Sequence, residues 1–505
     1  MSVTNFLHGI RTLEYDDGTK EINTVDISVI GIVGTAPDSS YPTCASLLWG
    51  SELADNLVEF STVMPGADGN NWIVEIVDLG INGNVATPGY STLPDGSRKL
   101  TMITDGAMTP SKMYDQNQQY KEGLQIGEYI NVTFGGDHAG TGTVFALPPT
   151  NLSGGKDESF KYNVPTLIAG SQKKAGLLGG SGTLPPAVSE ILNQEDAIIV
   201  VVRVEEDSDE TKMRQNVVNG INALLTSAQI NQVTPRILIA PDYSANDYIA
   251  EQLEVVTNKL RGVGYIDSPR GATPADVVNR RQRYGGRMEI LRPRVYSTSD
   301  VSGLSRPYSA IAAGLRARID NEKGFWWSKS NQNIYGITGL EQVDDFIIGE
   351  TNCTANLLNA SQVSTIIRYD GFRHWGNYLC SLSPQWSFEC VRRTADVIED
   401  SIARAMMTDF IDRPIDLHLG TDVVESINAY LHKLEEQGAI NGGRAWLDEE
   451  LNTKESLAAG NLYINVDFGP KSPAQTITLM YRINNDYTVE ALASLLKKQS
   501  NNLEN

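Results

Sequence analysis

The chain has little of what most chemistry needs. Four of its 505 residues are cysteine (Cys44, Cys353, Cys380, Cys390), and none pairs with another at CxxC spacing. That argues against a thiolate zinc site or a disulfide framework, and predicts buried or idle thiols in a protein made in the cytosol. The five histidines are scattered, with no HExxH pair, and no GxSxG elbow is present. No window approaches 18 uninterrupted apolar residues, so no transmembrane helix is expected. Residues 1–8 lack the basic-then-apolar order of a secretory signal. A basic excess is missing too: 62 acidic side chains against 41 basic give a net charge of −21. Nucleic acid and anionic membrane are therefore disfavoured as partners.

What is there has the texture of a chain that buries real cores. Hydrophobic residues make up 41% and charged residues 20%, over a length suited to about three domains. Residues 8–15 and 20–25 flank Asp16-Asp17-Gly18-Thr19 and read as a β-hairpin. The apolar run 27–34 reads as a strand covered on both faces. From about 44 to 162, short strand-like pieces (72–77, 99–103, 129–134, 143–147) alternate with Gly, Asn, Pro and Asp, which predicts a small all-β domain.

Residues 163–360 alternate strands (166–169, 197–204, 236–240, 263–267, 288–291) with helices (187–193, 211–226, 246–261, 274–283, 308–319). That cadence predicts an α/β sheet with covering helices. Apolar stripes predict helices at 389–409, 421–436 and 487–497. Between the last two, residues 462–468 and 476–483 alternate apolar with polar and read as strands.

Several constellations invite a chemical reading. The Gly-rich run 175–182 lacks GxxxxGK[ST] and reads as a flexible loop. Asp242 ends a predicted strand, where α/β enzymes keep catalytic acids, but a turn or cap role is equally open to it. The acidic run 205–210 has no EF-hand spacing and reads as a solvated loop. Asp344-Asp345 reads as a surface pair facing water. The basic clusters Arg280, Arg281, Arg283 with Arg287, and Arg392 with Arg393, read as solvated or helix-terminal arginines, or as docking points for acidic neighbours. They lack the interleaved aromatics that would stack bases.

The densest stretch runs from 365 to 381. Ile366 and Ile367 end a strand, Asp370-Gly371 and Gly376-Asn377 are turn signals, and Phe372 and Trp375 offer aromatic area. These features predict a rigid corner, with His374 packed rather than catalytic. The run Asp370, Gly371, Phe372, Arg373, His374, Trp375, Gly376, Asn377, followed by Trp386, Phe388 and 391–395, resembles the C-terminal core of tail sheath proteins. These belong to contractile-tailed phages and the related R-type pyocins, where the stretch reads approximately "DGFRFWGNRT…F.N..RTA". Here Tyr378-Leu379-Cys380 departs from it. The opening (Gly9 to Pro37) and the loops 65–71 and 152–157 resemble the same family, with Glu158 in place of a final Gly.

The resemblance implies a non-enzymatic structural subunit without cofactor or metal. It implies an α/β core whose central sheet is built from the N- and C-terminal portions, an inserted all-β domain, and exchanged terminal strand arms. The implied divisions are 1–43 (arm and first core strand), 44–162 (outer β-domain), 163–360 (middle α/β domain) and 361–505 (inner domain with a tube-facing helix). Ile10, Thr12, Leu13, Ile22 and Val25 would form one arm, and Leu462, Ile464, Val466, Ile477, Leu479, Tyr481 and Ile483 the other. Arg280, Arg281, Arg283, Arg392, Arg393, Lys433 and Lys454 become candidate contacts to a tube or a neighbouring copy.

The implied partners are the chain itself, in hexameric rings stacked helically, a tail tube protein, and baseplate and terminator proteins. Neither nucleic acid nor membrane insertion is implied. The implied place is the virion tail, assembled in the bacterial cytoplasm, and the implied work is contraction that drives the tube through the host envelope. A tailocin sheath, or an α/β hydrolase-like or nucleotide-binding enzyme, are the alternatives.

Overall fold

In the computed structural model, the described residues are 20–39, 43–79, 89–106, 108–110, 112–113, 129–134, 140–156, 159–298 and 303–503. The apolar run near the start forms β1 (Ile30–Thr35), buried at every position. It lies parallel to a neighbour on each side, and such a strand must be apolar on both faces.

Residues 46–151 carry two small sheets. β2 (Ser46–Trp49), β3 (Val58–Thr62) and β7 (Ile130–Phe134) form one; β5 (Gly89–Thr92), β6 (Arg98–Thr104), β4 (Trp72–Asp78) and β8 (Leu147–Asn151) form the other. Phe60, Val74, Ile76, Leu100, Met102, Ile130 and Val132 share one core between them. β8 begins where the expected strand 143–147 was to end, because Pro148 and Pro149 tolerate an edge position.

The main sheet continues with β9 (Thr166–Ala169), β10 (Ile198–Val204), β11 (Ile237–Ile239), β12 (Val263–Asp267) and β13 (Met288–Leu291). After the small pair β14 (Val295–Ser297) and β15 (Ile337–Leu340) come β16 (Val363–Arg368) and β17 (Phe372–Trp375). The order is β17-β16-β13-β12-β11-β1-β10-β9, parallel except at its two edge strands. The N-terminal portion thus supplies β1 and the region after 361 supplies β16 and β17. The remaining strands come from the middle of the chain, so the sheet is not built from the two ends alone.

Helices α1 (Leu184–Leu192) and α5 (Ser309–Lys323) cover one face. Helices α2 (Glu210–Ala223), α3 (Asp247–Lys259) and α4 (Pro274–Arg281) cover the other, with Leu358 of α6 (Thr354–Ala360). α5 is buried from Ser309 to Ile319. Its small residues allow a close approach: a Cβ at Gly314 would lie 2.8 Å from the Ile191 carbonyl oxygen.

Beyond the sheet, α7 (Glu389–Ala405) and α8 (Leu417–Glu436) pack with a hairpin of β18 (Ile440–Leu447) and β19 (Ile464–Pro470). The short α9 (Lys454–Ala458) sits in the hairpin connection, and α10 (Asp486–Leu503) follows a segment without regular secondary structure.

Two strand expectations are corrected here, and a third, 462–468, is met but with a partner in the same chain. Residues 20–25 form no strand, since Ile22 is buried among Ile398, Val423, Ile427 and Tyr430 of its own chain. Ile464 and Val466 lie in β19, paired with β18 of the same chain, and Leu462 precedes that strand half-buried. Residues 476–483 carry no regular secondary structure and belong to no ladder among the described residues. The expected segment 8–15, with Ile10, Thr12 and Leu13, lies outside the described residues.

At Gly376 a Cβ would meet Ser364 Oγ at 2.1 Å and its backbone Cα at 2.8 Å. Gly376→Ala should therefore destabilise the protein by about 2 kcal/mol or more, read as a lower urea midpoint at unchanged slope. An unchanged midpoint would contradict this packing.

Candidate assembly surface

The corner at 365–381 is a β16–β17 hairpin. Asp370 (φ 50°) and Gly371 (φ 102°) make its turn, and Arg373 is held by the carbonyls of Tyr369 and Asn331. Trp375 meets Phe346 edge-on at 5.0 Å, and Phe372 packs on the main core. The Asn377 carbonyl accepts from Glu389 N at 3.0 Å, joining the corner to the start of α7. His374 points inward: its Nδ1 lies 2.7 Å from the Tyr308 hydroxyl and its Nε2 3.3 Å from Glu289 Oε1. Burial pushes its pKa down, which keeps the ring neutral.

Below this corner lies a sealed network of charge. Lys329, fully buried, donates to Glu289 and, at 2.8 Å, to Glu389. Arg316 pairs with Asp320 at 2.8 Å and stands 3.8 Å from Glu389, while Arg393 reaches Asp320 and the Ile27 carbonyl. Tyr265 donates to Glu389, and Ser364 to Glu289 at 2.6 Å. Three cations thus face three carboxylates. Burial alone would raise the Glu389 pKa, but Lys329, Arg316 and Arg393 outweigh it and bring it down to about 2. The arrangement has the balance of a structural junction.

The arginines read from sequence as possible docking points are used inside the fold. Arg280 bonds Asp247 at 2.7 Å and the carbonyls of Asp267 and Ser244. Arg281 bonds Gln362 and the Ser381 carbonyl, and Arg283 bonds Asp247 at 2.6 Å. Arg287 clasps Asp396 with both terminal nitrogens, and Arg392 adds a third bond to that carboxylate while lying over the Trp386 ring. Arg393 is buried. These five candidates (Arg280, Arg281, Arg283, Arg392, Arg393) thus have partners within the chain: Arg392 bonds Asp396 one helical turn away, the others bond groups farther off, and Arg283 stays 56% exposed. Lys433 bonds Glu21 at 2.8 Å and Lys454 stands exposed at the start of α9.

The strand ends, where an α/β enzyme would hold its site, are closed as well. Asp242 pairs with Arg294 at 2.7 Å, and the buried Asp267 accepts from Ser244 and Ser309. Glu190 sits 3.6 Å from Arg306, and burial pushes its carboxyl up to about 8. Asp344 does not face water: Arg292 grips both its oxygens and Thr365 donates to it, whereas Asp345 receives the Thr354 hydroxyl at the start of α6. A cleft of about 570 Å³ opens instead in the 46–151 segment, beside Trp72, Arg98 and Tyr129. Among the described residues no group of three metal-ligating side chains converges, and no helix is long and apolar enough to cross a membrane. Three cysteines are buried, and burial raises the Cys380 thiol to about 12 and Cys390 to about 11; Cys44 is exposed.

The two ends of the described chain differ in how they meet the body. Residues 20–29 lie along α7 and α8: Lys20 N donates to Ser426 at 2.9 Å and Val25 N to Ser401 at 3.0 Å. Ile22 and Val25 are therefore the root of the N-terminal segment, not an extended arm. β18, which the period-2 pattern did not disclose, bulges at Gly442-Gly443, where a Cβ on Gly443 would come 2.9 Å from the Asp467 carbonyl oxygen. With β19 it makes a two-stranded sheet. From 474 onward the segment before α10 and the described side chains of α10 are exposed, and Ile477, Leu479, Tyr481 and Ile483 are each 66–91% accessible.

A sealed α/β body with an exposed apolar extension has the form of an assembling structural subunit. Residues 216–378 match the phage tail sheath protein central domain, and residues 381–484 the phage tail sheath C-terminal domain. The tail sheath protein of Escherichia phage P2 is 36% identical over 356 residues, covering 67% of this chain and 89% of that protein. That of Burkholderia phage BcepMu is 29% identical over 506 residues, covering 96% and 98%. Among solved structures, the anti-feeding prophage helical sheath in its contracted state aligns with a TM-score of 0.51 at 20% identity, covering 64% of this chain and 89% of that one. The chain belongs to the phage tail sheath family.

Two measurements test the buried charges. Lys329→Met strands two carboxylates without their cation and should cost about 3–5 kcal/mol in urea unfolding. The Glu389 contribution is full above the ordinary carboxylate range and should be lost as pH falls from about 4.5 towards about 2. Glu190 runs the other way: its raised carboxyl should cost stability as pH climbs from about 4.5 towards about 8. Glu190→Gln should flatten that slope and leave acid stability unchanged.

Proposed function

We propose that this chain is the repeating subunit of a contractile tail sheath, and that copies are joined by exchange of extended terminal segments. The observation that carries this reading is the alternating run Ile477, Leu479, Tyr481, Ile483. It alternates in the pattern of a strand, its side chains are exposed, and it joins no sheet among the described residues. Exposed edge segments of this kind are a liability unless a second sheet accepts them. The β18–β19 sheet, with two strands only, is the natural acceptor, because an added strand satisfies its main-chain groups and covers apolar side chains. Ile10, Thr12 and Leu13 would form the matching N-terminal arm, rooted on α7 and α8 through Ile22 and Val25.

In this reading subunits join head to tail, and an interface that does not close on itself builds a helix of stacked rings. The sealed α/β body stays rigid while neighbours re-pack around it, and the exchanged arms keep them tethered during contraction. The segment 44–162 is an outer domain on this scheme. The inner face carries α8 and the α9 region, with Lys433 and Lys454 as candidate contacts to an acidic tube surface. Tube, baseplate and terminator proteins are the expected partners, and the work done is mechanical, not catalytic. The sheath aligned above comes from an anti-feeding prophage, so an injection device outside a phage particle would use this subunit in the same way.

A chain ending at Pro470 tests the reading. It should retain the circular dichroism and unfolding midpoint of the full chain yet sediment as a monomer, while the full chain forms hollow cylinders under the electron microscope. Cylinders from the shortened chain would refute exchange at this end. Lys454→Glu should leave cylinders intact and weaken co-sedimentation with tubes.

A further inference from the structure

The C-terminal sheath domain match ends at residue 484, and α10 lies beyond it. Its sequence places Val489, Leu492 and Leu496 on one face, with Leu495 and Tyr487 beside it. All five are 56–71% exposed. A helix of this length is marginal in water without packing, so an open apolar stripe marks a face that some surface covers. Residues 471–485, touching the body at Gln475 through the Tyr378 hydroxyl, lead to it without regular secondary structure, and could reach up to about 50 Å if stretched.

A matching surface exists on the body. Trp446, Leu447, Leu451 and Tyr463 are exposed apolar residues at the turn end of the β18–β19 hairpin, where Asp448 N donates to the Tyr463 carbonyl at 3.1 Å. Segment length then decides which copy is covered. β18 spans eight residues and β19 seven, and the apolar arm 476–483 is of the same length. An arm laid antiparallel along a neighbour's β19 runs towards that neighbour's hairpin turn and ends beside it, with α10 starting three residues later.

We propose that α10 of one copy seats its Val489–Leu492–Leu496 stripe on the Trp446, Leu447, Leu451 and Tyr463 patch of the next copy, clamping the exchanged strand in place. The inference rests on the exchange reading and adds a second, helical contact to it. The clamp opposes withdrawal of the strand, so it acts on dissociation more than on folding of the body.

Two experiments separate this clamp from the exchange itself. In a Cys44→Ser background, which removes the exposed native thiol, the double variant Leu451→Cys, Leu492→Cys is assembled and mildly oxidised. A ladder of disulfide-linked oligomers on a non-reducing gel supports the clamp. Monomer alone, whether uncrosslinked or internally bridged, overturns it. In parallel, a chain ending at Asn485 should still build cylinders but need at least about tenfold more protein to assemble, a shift of about 1.4 kcal/mol. If it assembles like the full chain while the Pro470 truncation does not, the clamp fails and the exchange stands. If both truncations assemble normally, both fail.

Discussion

Lys329 is the point on which the rest of the body turns. It lies in an irregular segment after α5, with no exposed surface, and reaches Glu289 of β13 and Glu389 of α7 at once. A single buried charge would be too costly to keep, and a buried pair survives only when its remaining valences are met. Here Arg316, Asp320 and Arg393 complete the balance, and Tyr265 and Ser364 supply hydroxyl donors. Six parts of the chain, from β12 to α7, must therefore arrive together before all of these groups are satisfied. The network fixes the angle between the α/β sheet and the α7–α8 region more firmly than an apolar contact of similar area, because charge pairs tolerate little displacement in a low-dielectric interior.

That rigidity extends to the N-terminal segment. Arg393, already bound to Asp320, also donates to the Ile27 carbonyl, and Arg236 pairs with Asp400 of α7 at 2.7 Å. Residues 20–29 are thereby held against the same helix that carries Glu389. A pull on the chain ahead of residue 20 would load α7 and the central sheet directly. At the other end the design is opposite: after Pro470 a stretch without regular secondary structure leads to a helix whose apolar side chains are exposed. One terminus is anchored at its root and the other free, which suits a subunit whose body must move as a unit while its links bend.

Much of this body is legible in the sequence, and the reason is periodicity. β1, β10 and β12 are apolar at nearly every position because both faces are covered, and α2, α3 and α7 carry stripes at helical spacing. The corner at 370–377 was legible as turn chemistry, with Asp370 and Gly371 at positive φ and His374 buried. What the sequence hid depends on partners distant along the chain. Arg287 and Asp396 are 109 residues apart, and Arg292 and Asp344 are 52 apart. No local pattern separates such arginines from solvated ones, so residues read as docking points turned out to be internal. β18 escaped because Gly442 and Gly443 break its alternation at the bulge.

The segment 476–483 escaped for a different reason. Its alternation is correct for a strand, yet a strand is a relation between two segments, and among the described residues none pairs with it. A pattern that is strong in sequence and unfulfilled in the folded chain is more informative than either observation alone. The consecutive apolar residues Leu479, Met480 and Tyr481 remain 66%, 92% and 89% exposed, and Ile477 and Ile483 beside them 76% and 91%. Local preference and tertiary environment conflict here, and such conflict persists in natural chains where another molecule resolves it.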